Sequence, residues 1–254
     1  MLKKISIAVI ILVGIVVIVF GFRHYQQKIA QTTNMKKTIL TKTSLKKEPD
    51  LSYLALAKNL PPTIQTQLKS AGQNEQKLTM TFVVQNNPAV TQALISAMKK
   101  AYDTKVWNFE TINYTTETST ALLNNKIVDK VTATKPNVIL YEAPLLNDNL
   151  NIPETESQTS NNQLLSQFSK TKATILVEPS NPIYNGVVYP TQEQSFKNAL
   201  PKQYTFIDYW TAFPATDSPA MQALTVNTND TYYTLNAAGN KLWADNLIKY
   251  FIAN

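Results

Sequence analysis

Residues 136–149 read Pro-Asn-Val-Ile-Leu-Tyr-Glu-Ala-Pro-Leu-Leu-Asn-Asp-Asn. The run 136–142 is apolar and β-branched, too short for a helix, and closed by a turn-forming Asn147-Asp148. It reads as a strand buried on both faces. Similar runs stand at 77–84 (KLTMTFVV), 105–112 (KVWNFETI), 173–178 (ATILVE) and 204–208 (YTFID). Between them lie helical patterns. Residues 88–101 put Pro88 in a first turn and Val90, Leu94, Met98 and Ala101 on one stripe. Residues 118–133 carry Leu122, Ile127 and Val131, 190–199 form a shorter candidate, and 236–252 place Leu242, Leu247, Tyr250 and Phe251 mainly on one face. Five strands spaced by helices predict βαβ units: an α/β fold with a five-stranded parallel sheet covered on both sides. In such sheets ligands bind beyond the carboxyl ends of the strands. Candidate residues therefore fall at 85–87, 113–118, 143–149, 179–184 and 209–216.

The N-terminal segment has a different character. Ile5 to Phe22 are 18 residues without a charge, flanked by Lys3, Lys4 and Arg23. As a helix this run spans about 27 Å, close to the ~30 Å of a bilayer core. It is longer than the apolar core of a cleaved signal peptide, and Gly21-Phe22-Arg23-His24 is a poor cleavage site. The sequence thus predicts one N-terminal transmembrane helix in 1–22, a basic and polar stalk with a short helix in 23–76, and a domain in 77–254. Residues 51–60 (LSYLALAKNL) form that short helix, ended by Pro61-Pro62. The lysines after the span favour a cytoplasmic domain, whereas the short N-terminal tail with two lysines favours an exported one. The expectation is a single-pass protein of the cell membrane with its C-terminal domain outside.

Charge follows the same division. The chain carries 24 basic and 17 acidic residues, a net +7. Nine of the basic groups and none of the acids lie in 1–47, which leaves fifteen against seventeen for the remainder. The domain is near neutral, so a nucleic-acid partner is excluded for want of a cationic stripe. The basic tether suits anionic lipid or wall polymer. There is no cysteine and a single histidine, His24, beside the anchor. This removes disulfides, thiolate metal sites, a Cys nucleophile and most imidazole chemistry. No cofactor and no metal are expected, since no loop has ligand spacing, although Asp148 and Glu142 with carbonyl oxygens are the best Ca²⁺ candidates.

The strand ends resemble the SGNH (GDSL) hydrolases, serine esterases on a flavodoxin-like three-layer α/β sandwich. The likeness covers residues 77–252 and rests on Leu146-Asn147-Asp148, Pro179-Ser180-Asn181-Pro182-Ile183-Tyr184, Ile207-Asp208-Tyr209-Trp210 and Asn236 to Ala244. It implies a crevice whose positions can be followed one by one. Where the family has G-D-S after the first strand, this chain has Gln85-Asn86-Asn87. An amide is no nucleophile, so Asn87 forms no acyl-enzyme. The second block's glycine falls within Thr115-Thr116-Glu117, and Asn147 keeps the place of the third block's oxyanion donor. Placing Asn236 on the fourth block puts Thr234 at the base and Thr231 at its orienting acid, and a threonine cannot accept and return a proton near neutrality. A shift of one residue brings Asp230 to the acid position; nothing supplies the histidine. Asn240 and Tyr209 stand at two further places where members carry one.

The expected crevice residues are Asn87, Thr116, Asn147, Asp148, Asp208 and Trp210. Each has a plainer reading: Asn87-Pro88 as a helix start, Asn147-Asp148 as a turn or cap, Trp243 as core. Trp210, Phe213, Tyr184 and Tyr189 line either a sugar-binding surface or loop packing. Glu142, Glu178 and Asp208 at strand ends are either a carboxylate pair for hydrolysis or structural acids. The resemblance implies a domain without its catalytic triad that binds or scaffolds surface polysaccharide or an envelope partner. The alternative is an active acyl-ester hydrolase using a non-standard carboxylate, Asp148, Asp208 or Glu142.

Overall fold

A computed structural model of the chain describes residues 20–30, 50–103, 106–149, 151–227 and 233–253. Residues 20–30 are helical (α1). No helix among the described residues is long and apolar enough to cross a membrane, and most of the expected span Ile5–Phe22 lies outside them. The chain divides into two units, 1–48 and 49–254.

In the second unit β1 (Leu78–Gln85), β2 (Trp107–Tyr114), β3 (Val138–Ala143), β4 (Thr174–Pro179) and β5 (Thr205–Phe206) form one parallel sheet in the order β2-β1-β3-β4-β5. β3 is buried at all six positions and β1 at six of its eight, as continuous apolar runs require in a sheet covered on both faces. β2, at the edge, keeps Asn108, Glu110, Thr111 and Asn113 exposed. β5 is shorter than the run 204–208 that predicts it: only Thr205 and Phe206 pair with β4.

Side chains alternate between two cores. Met80, Phe82, Val84, Leu140 and Leu176 meet α2 (Pro62–Gln73), α3 (Pro88–Tyr102) and α10 (Ala237–Phe251). Val83, Ile139, Tyr141, Ile175 and Val177 meet α4 (Ser119–Asn124), α5 (Ile127–Ala133), α7 (Glu154–Phe168) and α8 (Tyr189–Ala199). A single turn, α6 (Leu145–Asp148), follows β3. A short α9 (Pro219–Gln222) precedes the antiparallel pair β6 (Thr225–Asn227) and β7 (Tyr233–Leu235).

Three features depart from the sequence expectation. The compact unit begins at Pro49, not at residue 77. Residues 52–57 form a 3₁₀ turn, and Pro62 opens α2 instead of closing a helix. Proline suits a first helical position because its missing N–H would have no partner there. Ile64, Leu68 and Ala71 of α2 then enter the core at helical spacing. The single pattern at 118–133 is two helices, because Lys126 adopts a left-handed conformation (φ 54°) that ends α4 and starts α5 at a new angle.

Candidate functional site

The strand order reverses between β1 and β3, which run on either side of the switch point where α/β sheets open to ligands. Asn87 sits here at the N-cap of α3, the helix-start reading of its sequence. Its side chain does not cap the helix. It donates from Nδ2 to Oδ1 of Asn240 at 2.8 Å, and Asn240 in turn donates to the carbonyl of Leu235 at 3.3 Å. Asn240 is delivered by α10, whose start is fixed by Asn236 accepting from the N–H groups of Ala238 and Gly239.

The neighbouring loops are tied in the same manner. Asn147, in α6, donates from Nδ2 to the carbonyls of Thr115 and Glu117, both at 3.0 Å. Gln85 donates to the same Thr115 carbonyl at 3.0 Å. The N–H groups of Thr115 and Thr116 point at the Glu117 carboxylate, at 2.7 and 3.1 Å. Those backbone donors, the Thr115 bond above all, hold the Glu117 carboxyl below its ordinary range. Asn87, Thr116 and Asn147 therefore gather at the carboxyl end of the sheet, and their polar groups or those of their loop are already engaged within the protein.

The other expected residues separate from this group. Asp148 points into the α4–α7 core and is 2% exposed. It accepts from the Ser119 N–H at 2.7 Å, the Ser157 hydroxyl at 2.5 Å and Asn161 at 3.2 Å. Burial raises its pKa, and the hydrogen bonds partly offset this. Glu142 faces the opposite core, so the two cannot share a Ca²⁺ ion. Asp208 is half-buried and paired with Lys197 of α8. Trp210 is half-buried, donating to the Ser180 carbonyl at 2.9 Å with its ring edge-on to the buried Tyr189. Tyr184 meets Tyr233 edge-on at 5.0 Å. Trp243 is core, stacked on Tyr209 at 5.0 Å. Thr234 is exposed on β7; Thr231 and Asp230 lie outside the described residues.

The sequence marked Glu142, Glu178 and Asp208 as strand-end acids, either a carboxylate pair for hydrolysis or structural; of the three, Glu142 and Glu178 are the ones that come together. They are register partners on β3 and β4, side by side on one face, 1% and 2% exposed. Glu142 accepts from the Gln85 N–H at 3.0 Å, and Glu178 from the Trp243 indole at 3.4 Å. Burial pushes Glu142 up to about 8; burial and the neighbouring Glu142 push Glu178 well up. A charged residue inside an otherwise apolar strand run was the available signal; which two of the three acids pair was not, because that depends on register.

A five-stranded parallel sheet in this order, covered on both faces and with its polar loops gathered at the carboxyl end, is the fold of the SGNH (GDSL) hydrolases. The chain is similar to a G-D-S-L family protein from Desulfitobacterium hafniense DCB-2 at 13% identity, TM-score 0.51, over 68% of this chain and 99% of that one. It is similar to LAE5, an alpha/beta hydrolase enzyme from the metagenome of Lake Arreo, Spain, at 9% identity, TM-score 0.55, over 68% and 94%. A carbohydrate esterase family 3 protein from Talaromyces cellulolyticus matches at 10% identity, TM-score 0.52, over 67% and 94%. At these identities the likeness is one of fold. No family model and no curated protein matches the chain.

Proposed function

We propose that residues 49–254 are an SGNH-fold module that does not cleave esters and instead holds a cell-surface polysaccharide or envelope partner beside the membrane, tethered through Ile5–Phe22. The observation that carries this reading is the internal engagement of the crevice donors. Asn87 is bonded to Asn240, Asn147 to two backbone carbonyls, and the N–H groups of Thr115 and Thr116 to Glu117. An oxyanion site needs donors free to meet the developing charge. Covalent catalysis needs a nucleophile beside a base, and an Asn87–Asn240 pair offers two amides.

The carboxylates that would serve the alternative hydrolase are also withdrawn. Asp148 and Glu142 are buried, and Asp208 is bound to Lys197. The glycan part of the reading comes from the esterase neighbours and from the half-buried aromatic side chains of Tyr184, Trp210 and Phe213 at the same end.

The purified 49–254 fragment is expected to leave aryl acetates and acetylated sugars intact while retaining wall polysaccharide in a pull-down. Turnover of either substrate that disappears on mutating Asp148, Asp208 or Glu142 would establish the alternative. Absence of any polysaccharide retention would remove the binding part.

A further inference from the structure

Under Asn87 the first core leaves a small, partly open cavity of about 10 Å³ between β1, β3, β4, α3 and α10. That is about the volume one water molecule needs. Phe82, Leu94, Leu140 and Leu247 form apolar walls, while Glu142, Glu178, Thr91 and Trp243 supply the polar atoms. The two glutamates come from directly paired positions of neighbouring strands, which run about 4.8 Å apart. Glu142 Oε2 accepts from the Gln85 N–H and Glu178 Oε2 from the Trp243 indole, and the Ser180 hydroxyl, which donates to the Ala143 carbonyl, lies close enough to favour the Glu142 carboxylate. Glu142 Oε1 is buried and has no protein partner.

We propose that Glu142 and Glu178 hold one proton between them through a single water bound in this cavity. The inference stands apart from the functional reading above and holds whether or not the domain binds glycan.

Two ionised carboxylates side by side in largely apolar surroundings repel strongly, and no cationic side chain among the described residues faces them. The titratable groups around them are Tyr114 of β2, Tyr141 of β3, Tyr189 of α8 and Tyr209 after β5, all buried and neutral at ordinary pH. α3 contributes Asn87 and Thr91, and α10 contributes Trp243, none of them charged. Two neutral carboxyls fit poorly as well, because the donors aimed at Oε2 of each favour an ionised acceptor. One proton satisfies both conditions. The protonated carboxyl donates to the water, and the water donates onward to the ionised partner, so the charge of the pair is −1. The unmatched oxygen of Glu142 gains a hydrogen-bond partner in the water, as buried polar atoms generally must. Burial raises both carboxyls, and Glu142 raises Glu178 further, so at least one proton stays on the pair near neutrality.

The test is infrared spectroscopy of the full chain carrying ¹³C-carboxyl glutamate, which moves only glutamate bands and needs no mutation. At pH 7 the spectrum is expected to show a protonated glutamate C=O stretch equal to one carboxyl, lost as the pH is raised further. Glu193, whose own pKa is raised to about 7, is separated by repeating the measurement in Glu193→Gln. In that background, Glu142→Gln combined with Glu178→Gln removes the band. A high-resolution crystal structure is expected to place one water within hydrogen-bond distance of both carboxyls. No glutamate C=O band at pH 7 in Glu193→Gln, a band worth two carboxyls, or a dry cavity with the carboxyls bonded directly would each overturn the proposal.

Discussion

Glu117 folds its carboxylate back onto the N–H groups of Thr115 and Thr116, while Glu142 lies under the sheet end with no cation among the described residues to meet it. The two titrate in opposite senses, and stability against pH reads both. Glu117 has a lowered pKa in the fold, so its contribution is complete above the ordinary carboxylate value and is lost as pH falls. Lying at the surface and only half-buried, it is worth less than about 1 kcal/mol. Glu117→Gln is expected to flatten the acid limb of a urea-denaturation series between pH 3 and 5 while changing little at pH 7. Glu142 has a raised pKa, so the folded state binds more protons than the unfolded chain from about pH 4.5 to about 8. Stability then falls across that window by about 1.4 kcal/mol per pH unit for each proton concerned. Glu142→Gln is expected to remove much of that slope and leave the protein more stable at pH 8 than the parent. A parent protein whose stability is level from pH 5 to 8 would contradict this. Neither residue's role was readable from its neighbours in sequence: Glu117 acts through a local turn, Glu142 through register with another strand.

Among the elements, α10 carries the tightest requirement. Gly239 lies in its first turn, where a Cβ would stand 2.4 Å from the carbonyl of Leu224 and 2.9 Å from the Leu235 side chain. The loop after α9 can approach this closely only because no side chain is present. Gly239→Ala is expected to cost roughly 2 kcal/mol by overpacking, read as a lower urea midpoint, and to displace Asn240 from Asn87. The helices α3 and α10 were legible because their buried stripes recur at helical spacing. α2 was not: its proline pair reads as a stop or as a start, and only burial of Ile64 and Leu68 under the sheet decides between them. The break between α4 and α5 was hidden likewise, since a lysine rarely marks a left-handed residue.

For the molecule as a whole, the N-terminal boundary of the folded unit matters most. Leu60, Ile64 and Leu68 are each at most 2% exposed and belong to the core shared by β1, α3 and α10. Three such side chains contribute roughly 5 to 9 kcal/mol, comparable to the entire net stability of a typical domain. Fragment 49–254 is therefore expected to unfold in one cooperative transition, and fragment 77–254 to lack it and aggregate; circular dichroism melts of the two check this. A cooperative melt of 77–254 would show that the first helices are dispensable. The sequence by itself determined the parallel sheet, its helical covering and the loops at its carboxyl end. Those follow from apolar runs and periods of two and 3.6, which each segment carries within itself. Only the tertiary structure decided that Asn87 meets Asn240 across 153 positions, that Glu142 lies beside Glu178, and that Asp148 turns away from the crevice. Such contacts depend on strand register and helix packing, set by the sum of many burial terms and recorded in no single stretch of chain.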